Sequence, residues 1–155
     1  MSALTRLLRR PSVREWPEIA VCCVLAVVVE GGLRVASLPR LARWLGVPLA
    51  DDDGGAAPLR AARLGPRAER QWRALQRVSR HWPTSSTGPC LRWALVGGQR
   101  LRRLEPRLRL GVAKIDGAVR AHAWLEVGDR CLDPLGASQF LALAPVAPTE
   151  PRESA

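Results

Sequence analysis

The stretch AVRAHAWLEVGDRCLDP, Ala118 to Pro134, decides how this chain is read. From Ala118 to Val127 side chains alternate with the period of two that marks a β-strand. Val119, Ala121, Ala123, Leu125 and Val127 fall on one face, and Arg120, His122, Trp124 and Glu126 on the other. One face is expected to be core. Gly128 and Asp129 supply a tight turn, and Arg130 to Asp133 a short returning strand stopped by Pro134, which has no N–H for a ladder. With Gly128 and Asp129 as the central turn residues, Val127 opposes Arg130, Glu126 opposes Cys131, Leu125 opposes Leu132 and Trp124 opposes Asp133. That register puts Asp133 on the face of His122. The two are diagonal neighbours at about 7 to 8 Å between backbones, a gap that side chains bridge.

Working back toward the N-terminus, Leu108, Leu110 and Val112 alternate with Arg109 and Gly111, and the pair Asp116-Gly117 is typical of a tight hairpin. A further strand therefore precedes the first. Before it, CLRWALVGGQRLRRL places Leu91, Ala94, Leu95, Gly98, Leu101 and Leu104 on one helical face, a helix opened by Pro89 and ended by Pro106. Cys90 thus sits in a first turn. The loop PTSSTGP, residues 83–89, joins it to an amphipathic helix between Gly65 and Trp82, on which Trp72, Leu75, Val78, Ser79 and Trp82 recur at helical spacing. His81 near its end reads as a basic residue favoured at a helix C-terminus.

The segment LADDDGGAAP, residues 49–58, is acidic, glycine-rich and aperiodic, an exposed loop in which three aspartates read as a solvated turn and not a metal site. Upstream, Trp16 to about Arg34 is apolar on every side, as a helix enclosed by other elements would be, and Pro39 to Leu45 forms a second short helix. The expected organisation is a helical hairpin over residues 1–50, a loop over 51–60, a domain carrying the later helices and the strands over 61–145 and a disordered tail over 146–155, together one compact unit. The apolar run Ile19 to Val29 begins late for a signal peptide, lacks a small-residue cleavage site and is bracketed by Glu18 and Glu30. As a helix it spans about 16 Å, against about 30 Å of bilayer hydrocarbon. A buried helix is the better reading, with weak peripheral membrane contact as the alternative.

An apolar fraction of 47% over 155 residues is enough for one core and too little chain for two full domains. The net charge of +10 is compatible with a polyanion, a membrane surface or an acidic peptide. Lys114 is the only lysine, so the charge is nearly all arginine and reads as coding bias as readily as ligand selection. Aromatic and basic residues are not interleaved as single-stranded nucleic-acid platforms require, which argues against a nucleic-acid partner. Cys22, Cys23, Cys90 and Cys131 make neither a CxxC pair nor a zinc pattern with the two histidines. Free thiols in a reducing, cytoplasmic setting follow, with no metal or cofactor.

A thiolate is the reactive form of cysteine, and unpaired amides at a helix start favour it. Cys90 has that place, His122 stands mid-strand as a base, and Asp133 lies in register to orient it, the pattern of an activated nucleophile. Cys131 is a competitor, disfavoured because Glu126 opposite it would raise its pKa. Glu126, Asp116 and Asp129 are poorer orienting groups than Asp133. The Cys90 amide is the natural first oxyanion donor, and no second can be named.

The cysteine that opens an arginine-rich helix, the GV strand, AHAWLEV with its His122 32 positions after Cys90, and a short strand ending in Asp133 resemble the stand-alone leader peptidases of lasso-peptide biosynthesis, within the bacterial transglutaminase-like superfamily. The resemblance is good from Gly88 to Leu143. It implies an α+β, papain/transglutaminase-like fold with a nucleophile helix packed on a small antiparallel sheet. It also implies a cysteine peptidase with Cys90, His122 and Asp133 as its triad, which removes the leader of a ribosomally made precursor. The implied partners are the precursor peptide, a separate leader-recognition protein and a lasso macrocyclase. The chain departs from that family at WALVGGQ, where two adjacent glycines weaken a helix by about 2 kcal/mol. The same three residues would also serve an acyltransferase or deamidase. A non-catalytic basic peptide-binding protein would leave the His122 and Asp133 register as coincidence.

Overall fold

In a computed structural model, residues 13–50, 60–82 and 88–143 are described. A 3₁₀ turn at Val13–Glu15 leads into α1, Trp16–Val35, then α2, Leu38–Trp44, α3, Pro66–His81, and α4, Pro89–Arg100. Four strands follow: β1, Arg107–Ile115, β2, Ala118–Val127, β3, Arg130–Cys131, and β4, Leu141–Ala142. A one-turn helix α5, Pro134–Ala137, lies between the last two. The architecture is α+β, with an antiparallel sheet of order β3-β2-β1-β4.

Proline opens all four long or short helices from α1 to α4 within their first two positions, where its missing N–H costs nothing. The β1–β2 hairpin closes on Asp116 and Gly117, both left-handed at φ 52 and 79, the doubly positive turn that DG sequences favour. Gly128 at φ 59 opens the next turn. Its register pairs Val127 with Arg130 and Glu126 with Cys131, as the alternation requires. The ladder stops there. The expected strand to Asp133 is two residues shorter, because Asp133 leaves extended geometry to cap α5 and Pro134 starts that helix. Residues 60–62 run parallel beside β3, where the Cys131 amide bonds the Arg60 carbonyl.

The main core joins α1 (Ile19, Cys22, Ala26, Val29), α3 (Ala74, Leu75, Val78), α4 (Ala94, Leu95, Val96) and the sheet (Leu108, Ala123, Leu125). The opposite face of β2 is also covered in its second half, where Trp124 packs with Cys131 and Ala137. Expecting one core face was therefore too simple: α5 and the chain after it fold over the second. Two other expectations are corrected. α4 ends at Arg100 and not Leu104, since the chain then tightens into a 3₁₀ turn over Arg102–Leu104, with the Leu104 amide on the Leu101 carbonyl. Glu105, left-handed at φ 51, then reverses the chain before Pro106.

α1 is not enclosed. Its buried residues form one stripe, while Val24 and Val27 are each 62% exposed and Val28 48%. The reason is supply, since α3 and α4 cover one side and no described element lies over the other. Ion pairs to α4 accompany this packing. Glu18 pairs with Arg100 at the end of α4, and Glu30 with Arg92 at its beginning, 2.5 Å apart, so the two acids bracketing the apolar run meet α4 at opposite ends, with α1 antiparallel to it. The 51–58 aspartates and the 146–155 tail lie outside the described residues.

Candidate active site

Pro89 at the first position of α4 leaves Cys90 second, among amides that have no intrahelical acceptor. α4 lies against β2, and this packing brings the thiol to His122 across the helix–sheet seam. The imidazole hydrogen-bonds the sulfur, and its Nε2 meets Asp133 Oδ2 at 3.2 Å, which leaves Nδ1 for the thiol. Sulfur, ring and carboxylate form one chain of hydrogen bonds. All three expected site residues are brought together, though Asp133 reaches the ring from a cap and not from a strand.

The electrostatics follow from these contacts. The hydrogen bond to His122 is the largest influence on Cys90 and lowers its pKa below 9.0, outweighing burial, with the Ala123 and Leu91 amides and the ring charge adding to it. His122 is raised above 6.5, first by the bond to Cys90, against burial and then with Asp133 in support. The two shifts describe one interaction, in which each partner favours the charged form of the other, and belong to the pair. The other cysteines are unlike it. Burial pushes Cys22 and Cys131 up to about 11, and Cys23 upward as well. For Cys131 burial leads and Glu126 contributes less, so the reason expected from sequence is the secondary one.

Asp133 holds its place through the backbone. Its Oδ1 accepts from the Gly136 amide at 3.1 Å while Oδ2 serves the ring, and its own amide points at Cys131 Sγ, 3.3 Å away. A cavity of 340 Å³ opens beside the three groups, lined by Trp72, Leu75, Gln76, Ser79 and Trp93. It is wide enough for a side chain flanking a reacting carbonyl. Trp93, one turn after Cys90, meets Trp82 edge to face at 5.8 Å. His81 instead bonds the Arg77 carbonyl within its own helix.

Sequence reasoning missed Phe140, whose ring lies 5.0 Å from that of His122. A lone phenylalanine seven residues past the aspartate carries no periodic signal. Among the described residues no cluster of His, Cys, Asp or Glu could hold a metal ion, and no helix is long and apolar enough to cross a membrane.

No curated protein and no solved structure matches the chain. A family match, however, runs from residue 25, inside α1, to residue 145, and so takes in the helices, the sheet and all three polar groups. The chain belongs to the Transglutaminase-like superfamily.

Proposed function

We propose that this chain is a cysteine peptidase that removes the leader from a ribosomally made lasso-peptide precursor, with Cys90 as nucleophile, His122 as acid and base, and Asp133 as the group that orients the ring. One observation carries the reading: the hydrogen-bonded run from Sγ through the imidazole to the Asp133 carboxylate, at a helix start and beside an open cavity. The sequence resemblance to stand-alone leader peptidases supplies the substrate class. A leader-recognition protein and a macrocyclase are the partners it calls for.

In this mechanism Nδ1 of His122 takes the thiol proton and the thiolate attacks the carbonyl of the last leader residue. The oxyanion is met by the Cys90 amide in the open first turn of α4. The C–N bond breaks as His122 returns its proton to the departing amine, leaving a thioester. Water, deprotonated by His122, then attacks the thioester, releasing a leader carboxylate and the free thiol. Asp133 holds the proton on Nε2 throughout, so that Nδ1 is the face that accepts and donates.

The test is cleavage of a precursor peptide with purified recognition protein present. Cys90→Ala and His122→Ala are expected to abolish it and Asp133→Ala to cut it about a thousandfold or more, with circular dichroism unchanged. Full activity in Cys90→Ala would overturn the reading. The family also favours a neighbouring possibility, acyl transfer from the same thioester to an amine. Mass spectrometry of the released leader distinguishes a free carboxylate from an amide.

Thiol chemistry gives a test free of substrate. An acid whose pKa is lowered ionises earlier, so alkylation of Cys90 by iodoacetamide should half-saturate below pH 9.0, while Cys131, wholly buried, should stay unmodified in the folded protein. In His122→Ala the lowering partner is gone and the Cys90 midpoint should rise. Peptide mass spectrometry across a pH series reads both thiols in one sample.

A further inference from the structure

Three residues on one face of β2, His122, Trp124 and Glu126, are spaced two apart in AHAWLE, and the last is out of place by ordinary rules. Glu126 is only 6% exposed. Burying a carboxylate costs several kcal/mol unless its oxygens are met, so such a group needs an account of what it holds. Its Oε1 accepts from the Trp124 indole Nε1 at 2.8 Å, and its Oε2 from Arg109 Nε at 3.0 Å. Arg109, itself 7% exposed, stands on β1 directly opposite Trp124, so the guanidinium reaches along the sheet to the acid. The other groups facing Glu126 are Arg107, its partner across β1, and the Cys131 thiol across β3.

The far end of the indole is fixed too. A Cβ on Gly111 would lie 2.7 Å from two carbons of the Trp124 six-membered ring, so the indole occupies the space a side chain there would fill. Gly111 is the β1 partner of His122. Held at its N–H by Glu126 and at its other end by a glycine notch, the indole stacks on the His122 ring, 22° from parallel with centroids 6.1 Å apart.

A histidine needs such a wall. Hydrogen bonds to both ring nitrogens lie in the ring plane, and the torsion that sets that plane is broad and soft. The Asp133 side chain is 47% exposed and its bond to Nε2 is 3.2 Å long, a loose grip by itself. We propose that Glu126 is a positioning residue: by fixing the Trp124 indole it holds the plane of His122, keeping both ring nitrogens aligned with the Cys90 sulfur and the Asp133 carboxylate. This rests on the catalytic reading of Cys90 and His122 given above.

Trp124→Phe keeps a flat ring beside His122 and leaves Glu126 with Arg109, but has no N–H for the acid to hold. Glu126→Gln keeps an oxygen for the indole and loses the charge facing Arg109. Trp124→Phe is expected to lower kcat about tenfold with KM unchanged, since small misplacements at a reacting centre cost rate. It should also move the alkylation midpoint of Cys90 up toward 9.0. Glu126→Gln should shift both in the same direction and by less. Wild-type kcat and a wild-type alkylation profile in whichever of the two variants folds would overturn the proposal, even with a lowered melting temperature, because that is what a merely structural role predicts. If the unmutated protein already shows Cys90 titrating as an ordinary thiol, it is the catalytic reading that fails.

Discussion

α1 and α4 invert each other. α1 is apolar on all sides and yet leaves half its circumference to solvent, whereas α4, with two adjacent glycines and three polar or charged residues, is hemmed in from both sides. The difference lies in volume. On α4 the missing side chains are the contact surface: a Cβ on Gly97 would sit 2.8 Å from Leu75 and 3.0 Å from Trp72, and one on Gly98 2.4 Å from Val47. α4 is therefore wedged between α3 and the chain after α2, and its first turn presents Cys90 at a fixed place over β2. On α1 the exposed valines touch little. Apolarity tells which residues gain from burial, and only the close-packed neighbour tells which are buried.

The sharpest way to break this contrast is to restore the missing volume. Gly98→Leu should destabilise the fold by about 3 kcal/mol, since overpacking against Val47 far exceeds the roughly 1 kcal/mol of helix propensity gained. Urea unfolding measures it, and pairing it with Val47→Ala should recover part, since the two side chains compete for one space. Next comes Glu30→Ala, which removes the carboxylate beside Arg92, a side chain 1% exposed, and should cost about 2 kcal/mol. The smallest effect belongs to the outer face of α1. Val24→Thr, at 62% exposure, should change stability by less than about 0.5 kcal/mol by the same measurement. A large loss there would mean that the outer valines carry a packing role.

Much of the sheet and of the site was legible in sequence because its signals are local. A period of two, the positive-φ pair Asp116-Gly117 and the turn at Gly128 fix the register of three strands, and that register carries the chain back beside β2 as far as Cys131, from where the cap on α5 delivers Asp133 to His122. Pro89 similarly placed Cys90 in a first turn. What stayed hidden depends on neighbours distant in sequence. The exposure of α1, the fit of Gly97 and Gly98, and β4 beside β1 carry no periodic mark. Asp133 before Pro134 reads as the end of a strand, whereas in the fold it caps α5, its Oδ1 accepting from the Gly136 amide. Glu126 read as a weaker alternative to Asp133, while in the fold it faces the other way along β2, toward Arg109 and Trp124.

The cap on α5 also decides what could replace the aspartate. With Oδ1 bound to a backbone amide, an asparagine at 133 would have to spend its only oxygen on Gly136 and turn its NH₂ toward the imidazole. Nε2 would then have to accept, the ring proton would move to Nδ1, and the nitrogen facing the thiol would already be occupied. A substitution that preserves shape to within one atom would thus reverse the polarity of the whole relay.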